Sequence, residues 1–463
     1  MGRAMSWMTP TDAAWLHMDR PESLMMITAL LSFDEPVPYD TVLGIIAERL
    51  VAVYPRFSRR VHEPPFKVGP PRWIEDAEFD ITRHVVPATL PAPAGKVELE
   101  ALCAAMMSEP LPRKQPPWQI HVVAGTDGGR GTALLARIHH CVADGISLAR
   151  VLLAMADDAG LDPHLVTTEV THEAHTHRFH RPRLNPMAAT WKAGETLWHE
   201  GVELSTHPER IAALARLGTE TAAAASRLLM LPPDPDTALR GTLGVPKRVA
   251  WSEPIPLPRI KDACRALGCT VNDVLLAAIA GAVRTYLIGR GSPVGDIRAF
   301  VPINLRPLDV PVPVDLGNYF SLAVLPLPVG EATPGERLTA LRRDMDHIKQ
   351  SQEPAVAFGI LNAIGMTPTR VERAVLRFFG TKGSAVMTNV PGPTAPVALA
   401  GHTVKSFLFW VPMSAGVALG VSIFSYAGEV VIGVASDAGL IPDPEALVAA
   451  YPDELAALEA LVE

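Results

Sequence analysis

Two adjacent histidines, His139 and His140, are followed closely in the chain by Asp144 and Gly145. An imidazole is the side chain best suited to take a proton from a hydroxyl group near neutral pH, because its unperturbed pKa lies close to that pH. A carboxylate can hold the surrounding loop in place, and a glycine permits backbone turns that other residues resist. The pattern H-H-x-x-x-D-G therefore predicts a site of proton transfer.

The pattern lies between a predicted strand and a predicted helix. Residues 132–138 form an apolar run typical of a buried strand, and apolar residues recur at helical spacing after Gly145, at Ile146, Ala149 and Leu152. Loops of this kind commonly display catalytic side chains. The acid just before the helix is also well placed to cap it, which is a structural alternative to a role in catalysis.

Predicted strands and helices alternate on both sides of a central interruption. The strands cover residues 24–33, 118–123, 132–138, 248–252, 297–302, 319–327, 403–411, 416–424 and 429–435, and the helices cover residues 39–53, 97–108, 271–287 and a segment from residue 443. Periodicity is lost from about residue 162, and a proline-rich break follows at 231–236. A chain of 463 residues is too long to fold around a single hydrophobic core. We therefore predict an N-terminal domain over residues 1–165, a partly helical linker over 166–240 and a C-terminal domain over 241–463.

Composition and charge narrow the classes of function. Hydrophobic residues make up 48% of the chain and charged residues 19%, as in a packed globular protein. The formal net charge of -8 argues against a protein that binds nucleic acid. No stretch reaches the roughly eighteen consecutive apolar residues that a membrane span requires, and the first residues lack the apolar core of a signal peptide. The four cysteines form no C-x-x-C pair, so we expect reduced thiols and a cytoplasmic protein.

Four histidines lie close together in the predicted linker, at His172, His175, His177 and His180. Such a cluster raises the question of a zinc site. The segment has no cysteine and few carboxylates, and its composition is typical of a loop. We therefore do not expect a dedicated metal site there.

Several separated segments match the motifs of one family in their order. They are Pro10-Thr11-Asp12-Ala13-Ala14-Trp15-Leu16, residues 110–118 with Pro117 where leucine is usual, Thr270-Val271-Asn272-Asp273-Val274, Val301-Pro302-Ile303-Asn304-Leu305-Arg306 with Gly317-Asn318, and Thr388-Asn389-Val390-Pro391-Gly392-Pro393. H-H-x-x-x-D-G alone is shared with chloramphenicol acetyltransferase-like enzymes and with condensation domains of peptide synthetases. These segments are distributed over nearly the whole chain apart from the linker. On them, the chain resembles the bacterial wax ester synthase/acyl-CoA:diacylglycerol acyltransferases.

The resemblance implies an α/β fold of two chloramphenicol acetyltransferase-like domains, with mixed sheets flanked by helices, a long helical linker, and an active site in a tunnel between the domains. It implies an O-acyltransferase that moves a long-chain fatty acyl group from acyl-CoA to diacylglycerol or to a long-chain fatty alcohol. Acyl-CoA is then a substrate, and neither a cofactor nor a metal is expected. Basic clusters lie at residues 56–60, 178–183 and 342–343. Most of them are expected to be solvated faces, and one is a candidate to meet the phosphates of CoA.

The resemblance also assigns roles within the signature. His140 is the general base that takes the proton of the alcohol. His139 is expected to be structural, because consecutive strand residues point in opposite directions. Asp144 orients the loop through an arginine, and Gly145 provides space and backbone freedom. The candidates for that arginine are Arg56, Arg59 and Arg60.

Outside the signature, the resemblance makes Asn272 a donor to the developing oxyanion or an amide that orients the substrate. An alternative is that Asn272 caps the helix over residues 271–287, with Asp273 favouring the helix N-terminus electrostatically. Asn389 and the Pro-Gly-Pro after it are expected to form a rigid structural turn. Cys141 is expected to be an inert, small apolar residue and not a nucleophile.

Two other functions are alternatives to an acyl-CoA-dependent O-acyltransferase. A condensation-type acyltransferase would take its acyl group from a carrier protein, although the chain holds no carrier or adenylation module. A non-catalytic lipid-binding or lipid-droplet protein would have no need of His140, Asp144 and Gly145, all of which are present. Lipidic substrates also suggest contact with the inner membrane or with lipid droplets. The sequence leaves open the acceptor, the acyl chain length and the oligomeric state.

Overall fold

The computed structural model describes residues 5–64, 69–157, 223–224, 226–306, 312–365, 369–414 and 416–462. Most of the predicted linker, including the four histidines between residues 172 and 180, lies outside the described residues. The described chain is built on two large sheets, one five-stranded and one seven-stranded, with helices packed against them. The predicted mixed α/β architecture is confirmed.

The strands are as follows in chain order: β1 (Met5–Trp7), β2 (Met26–Phe33), β3 (Arg59–His62), β4 (Arg72–Glu75), β5 (Val85–Thr89), β6 (Trp118–Gly125), β7 (Gly131–His139), β8 (Lys247–Trp251), β9 (Ile255–Pro256), β10 (Ile297–Asn304), β11 (Phe320–Leu327), β12 (Ala385–Pro391), β13 (Ala398–Leu399), β14 (His402–Thr403), β15 (Ser406–Trp410), β16 (Leu419–Tyr426) and β17 (Glu429–Asp437). All nine strands predicted from periodicity are present within a few residues of their expected bounds.

The helices are α1 (Pro10–Met18), α2 (Tyr39–Ile45), α3 (Lys96–Ser108), α4 (Gly145–Leu153), α5 (Leu257–Leu267), α6 (Val271–Gly289), α7 (Pro334–Gln350), α8 (Glu353–Gly365), α9 (Thr369–Gly380) and α10 (Pro444–Glu459). The helix predicted over residues 39–53 is α-helical only as far as Ile45. It continues as a π-helical segment, Ile46–Val51, in which the N–H of Ala52 bonds to the carbonyl of Ala47.

The first sheet has the strand order β15-β2-β7-β6-β5. Strands β2 and β7 pair antiparallel with Met26 opposite His139, so the signature begins where this central strand ends. The edge strand β15 comes from the second half of the chain and pairs with β2, with Trp410 opposite Thr28. Leu316 and Phe320, also from the second half, belong to the same apolar core as β2 and β7. The two halves therefore share one core beside the signature.

The second sheet has the order β11-β10-β12-β16-β17-β8, with β9 as a seventh strand that also pairs with β17, and β12 is parallel to both of its neighbours. Helix α6 packs against this sheet with most of its side chains buried. It begins with a capping box in which Thr270 and Asp273 exchange hydrogen bonds between side chain and backbone. Among the described helices, α6 alone is long and apolar enough to cross a bilayer, but its burial is typical of a core helix.

Candidate active site

The loop after β7 is held by backbone hydrogen bonds and by the start of α4. The N–H of His140 donates to the carbonyl of Met25 at 2.7 Å, and the N–H of Val142 donates to the carbonyl of His139. Asp144 is the N-cap of α4, because its side chain accepts from the N–H of Ser147 at 2.8 Å. The capping role that the sequence suggested for this acid is confirmed.

His140 is buried, and its Nδ1 lies 2.8 Å from Oδ1 of Asn318. The Nδ2 group of Asn318 donates to Oδ1 of Asp12 at 2.8 Å and to the carbonyl of His140 at 2.7 Å. Because both partners of Nδ2 are acceptors, the orientation of the amide is determined and its Oδ1 must accept. Nδ1 of His140 therefore carries the proton, and Nε2 is left with the lone pair of a base.

The surroundings of His140 keep the ring neutral. Burial lowers the pKa of His140 to about 4, and the carboxylate of Asp144 opposes this effect without overcoming it. At neutral pH the ring therefore holds no second proton. A neutral imidazole with a free Nε2 is the protonation state that a general base requires.

Asp12, which accepts a hydrogen bond from Asn318, forms a buried ion pair with Arg56. Nη1 of Arg56 lies 3.0 Å from Oδ2 of Asp12 and also donates to the carbonyls of Val142 and Cys141, at 2.8 and 3.2 Å. Arg56 thus holds the signature loop through its backbone. The expectation that this arginine pairs with Asp144 is wrong, because its carboxylate partner is Asp12.

The second oxygen of Asp144 has a different partner from the one predicted. It accepts the backbone N–H of Tyr319 at 3.1 Å, so the acid ties α4 to the loop that carries Asn318. Arg306 joins the same two elements, donating to Oγ of Ser147 and to the carbonyl of Gly317, each at 3.1 Å. These contacts fix the second half of the chain against the signature of the first.

His139 faces away from this network. Its Nδ1 accepts the N–H of Cys141 at 3.1 Å, and its Nε2 lies 3.7 Å from Oδ1 of Asp19. This arrangement favours the structural interpretation of His139. Cys141 is fully buried in the apolar core, as expected of an inert residue.

Gly145 does not need a backbone conformation reserved for glycine, since it is the first residue of α4 and has no positive φ. A Cβ placed there would meet only the Cδ1 atom of Ile27, at 3.9 Å. The expectation of special backbone freedom is therefore wrong, and the expectation that Gly145 provides space stays a prediction.

Gly145 borders a narrow apolar cavity between the first sheet and α4, with free space for about one water molecule. Its other lining residues are Ile27, Ala29, Ala136, Ile138, Leu148, Ala149, Leu152, Phe407 and Phe409. A wider cleft of about 500 Å³ lies between α3, β8, α5 and α10, and none of the predicted site residues line it.

The structure does not bring Asn272 or Asp273 to His140 through any contact among the described residues. Oδ1 of Asn272 accepts from Nδ2 of Asn389 at 3.1 Å. The cap of α6 is Thr270, so the capping alternative for Asn272 is wrong, whereas Asp273 does stabilise the helix N-terminus. The expected turn at Asn389 is also wrong, since this residue lies within β12. The role of Asn272 toward an oxyanion stays a prediction.

Sequence reasoning missed three residues around His140, namely Asp12, Trp15 and Asn318, and it gave Arg56 the wrong carboxylate partner. Trp15 stacks on the imidazole with ring centroids 4.0 Å apart and planes 14° from parallel. Asp12 and Trp15 are three residues apart in α1 and so lie on one face of that helix. Both lie in the segment of residues 10–16, and Asn318 lies in the Gly317-Asn318 pair. The family resemblance had singled out these segments, but it suggested no role for the three residues.

No group of three or more potential metal ligands occurs among the described residues. All four cysteines fall within these residues, and none of them forms a disulfide.

Comparisons with known proteins identify the family. A model of the wax ester synthase/diacylglycerol acyltransferase catalytic domain matches residues 8–275, and a model of the C-terminal domain of the same proteins matches residues 316–459. A Mycobacterium tuberculosis protein described as a probable diacylglycerol O-acyltransferase is 30% identical over 99% of this chain and 96% of its own length. A Mycobacterium bovis protein with a diacylglycerol O-acyltransferase name is 28% identical over 94% of this chain and 87% of its own.

Solved structures show the same fold. The wax ester synthase/diacylglycerol acyltransferase of Marinobacter aquaeolei superimposes with a TM-score of 0.67 at 22% identity, covering 99% of this chain and 100% of that one. The first condensation domain of the calcium-dependent antibiotic synthetase superimposes with a TM-score of 0.59 at 15% identity, covering 100% and 96%.

Proposed function

Since the chain belongs to the wax ester synthase/diacylglycerol acyltransferase family and is an acyltransferase, we propose that it transfers a long-chain fatty acyl group from acyl-CoA to a lipid alcohol, with His140 as general base. The alcohol is diacylglycerol or a long-chain fatty alcohol. The observation that carries the proposal is the hydrogen-bonded chain from Asp12 through Asn318 to Nδ1 of His140, which leaves Nε2 as a free base.

The reaction proceeds in two proton transfers around one tetrahedral intermediate. Nε2 of His140 takes the hydroxyl proton as the alcohol oxygen attacks the thioester carbonyl carbon. The intermediate collapses as the carbon–sulfur bond breaks, and the imidazolium returns the proton to the departing thiolate. The products are an ester and free CoA. No covalent acyl-enzyme is required, because the thioester is already activated.

Asn318 supports His140 throughout this cycle. When Nε2 is protonated, the positive charge on the ring is shared with Nδ1–H, whose acceptor is the Asn318 carbonyl. That amide is polarised in turn by the carboxylate of Asp12, which lies 2.8 Å from Nδ2. A transient imidazolium is thereby stabilised without a carboxylate in direct contact, so the resting ring stays neutral.

The lipid nature of both substrates supports a working site at a lipid surface, on the cytoplasmic face of the inner membrane or on lipid droplets. Exposed apolar side chains include Met230 and Phe378. Flotation of the protein with anionic phospholipid vesicles tests this location.

The function is tested with purified full-length protein and labelled palmitoyl-CoA, offered diacylglycerol and hexadecanol separately. We expect ester formation with at least one alcohol, matched by equimolar release of CoA. His140→Ala should lose at least about 10²-fold in kcat while remaining folded. His402→Ala, which removes an exposed imidazole elsewhere, is the control and should keep its activity. Normal turnover by His140→Ala removes the general-base assignment, and transfer without CoA release removes the donor assignment.

A further inference from the structure

The indole N–H of Trp15 is a buried donor without a partner. Trp15 is 6% exposed, and among the described residues no acceptor lies within hydrogen-bond reach of its Nε1. Leaving a buried donor unsatisfied costs stability, because the group has given up its bond to water. A buried group without a partner calls for an explanation, and for Trp15, which stacks on His140, a bound substrate is one candidate.

The position of this donor relates it to the proposed chemistry. The indole lies 4.0 Å from the His140 ring and nearly parallel to it, and it also stacks on Phe320 at 5.7 Å. The in-plane groups of two parallel rings are directed sideways, so the stack does not cover Nε2 of His140. The indole N–H and the lone pair of Nε2 therefore both point out of the side of this stack.

Helix α1 fixes this donor firmly. Its N-cap, Thr9, accepts from the N–H of Asp12, and Pro10 occupies the first turn. One turn later the same helical face presents Trp15 to the imidazole. Since Asp12 is bound to Asn318 and Arg56, the indole has little freedom to move away from His140.

Resting on the proposed function, we propose that the Trp15 N–H donates to the carbonyl oxygen of the acyl thioester. As the alcohol oxygen attacks and its proton passes to Nε2 of His140, this oxygen becomes negatively charged, and the same N–H stabilises it. When the carbon–sulfur bond breaks, the oxygen returns to a carbonyl and the thiolate receives the proton. Trp15 gains and loses no proton at any step.

The carbonyl oxygen is a better acceptor for this donor than the alcohol. The attacking oxygen must keep a lone pair free for the carbonyl carbon while it gives its hydrogen to Nε2. A donor bound to that lone pair would slow attack, whereas a donor to the carbonyl would accelerate it. The backbone N–H of His140 cannot take this role, because it is bound to the Met25 carbonyl.

The test separates the N–H from the aromatic ring. Trp15→Phe keeps a ring on the face of His140 and removes the donor. The matched control is Trp410→Phe, which removes another buried indole N–H without a partner, from a different hydrophobic cluster than the one that contains Trp15. Incorporation of benzothienylalanine at position 15 provides a second variant, since sulfur replaces the N–H in a side chain of nearly the same shape.

We expect kcat to fall about 10²-fold in Trp15→Phe and in the benzothienylalanine variant. KM for palmitoyl-CoA should change little, and Trp410→Phe should keep its kcat. A binding readout is the infrared carbonyl stretch of palmitoyl-CoA labelled with ¹³C at the carbonyl, bound to His140→Ala. Adding Trp15→Phe should move this stretch to higher wavenumber, as expected when a hydrogen bond is lost.

The outcomes distinguish the two proposals. If the wild type transfers the acyl group and the benzothienylalanine variant does so within threefold of its rate, the role of Trp15 is overturned and the proposed function stands. An unchanged carbonyl stretch overturns it equally. If the wild type neither binds palmitoyl-CoA nor turns it over, the proposed function fails, and the role of Trp15 fails with it.

Discussion

Replacing Asn318 with alanine tests the arrangement that makes His140 a base. The substitution deletes the only described acceptor of Nδ1–H, the side-chain donor to Asp12 and the donor to the His140 carbonyl. Without an acceptor at Nδ1, the proton is free to occupy Nε2, and that tautomer cannot accept the alcohol proton. The ring also loses the carbonyl that stabilises its charged form. We therefore expect most of the general-base contribution to be lost.

The magnitude follows from these contacts. General-base catalysis contributes about 10²–10⁴ in rate, so we expect kcat to fall by at least about 10²-fold, or ~2.7 kcal/mol of transition-state stabilisation. The stability cost should be smaller. Asp12 keeps the Asn318 backbone N–H at 2.9 Å and its ion pair with Arg56, so unsatisfied groups should cost about 1–3 kcal/mol.

The assay compares kcat and KM with the free energy of unfolding in urea. Asn362→Ala is the matched control, because this asparagine also joins the two halves, through Thr11 of α1, without touching His140. Both variants should lose stability, but only Asn318→Ala should lose kcat. A folded Asn318→Ala enzyme with kcat within threefold of the wild type would refute the argument from the tautomer.

Two further predictions concern pH and backbone strain. Because burial lowers the pKa of His140 from 6.5 to about 4, the unfolded state binds more protons between these values, and stability should fall as pH drops from 6.5 towards 4. The full effect is about 3 kcal/mol, and urea unfolding of the wild type and His140→Ala across this range should show it as a shallower slope in the variant. Gly317→Ala should cost about 1–3 kcal/mol, since Gly317 has φ +103° and its Cβ would lie 3.2 Å from Nη2 of Arg56. Gly69→Ala, at φ +98° with nothing within 4 Å of the added Cβ, isolates the backbone strain, and an equal loss in both variants would show that the contact with Arg56 adds nothing.

Local sequence patterns predicted well those helices and strands that have one face or both faces buried. The long helix over residues 271–287 and the strands that flank the signature follow directly from apolar periodicity. Asp144 could be recognised as a cap because capping depends on residues three positions apart. The π-helical continuation after Ile45 could not be recognised, because its hydrogen-bond pattern leaves no distinct apolar spacing. The prolines and glycine after Asn389 suggested a turn, although they mark the end of a strand.

The partners of His140 could not be predicted from periodicity or local motifs. Asp12 and Asn318 are 306 positions apart in the chain, and the amide reaches the histidine across 178 positions. Their contact depends on how two sheets pack, which no short segment encodes. The same reason explains the mistaken partner of Arg56. Arg56 was a candidate partner of Asp144 in the signature, but in the folded chain it pairs with Asp12 of α1.

Strand β15 belongs to the second half of the chain but pairs with β2 of the first sheet, and this limits how the chain can be divided. Its 406–410 segment completes a sheet whose other strands all come before residue 126 or between 131 and 139. A fragment cut within the linker would leave the backbone of β2 open along Thr28 to Ser32, ready to pair with any available extended peptide. Each half therefore needs the other to complete this sheet. We expect the whole chain, and neither half alone, to fold as one cooperative unit.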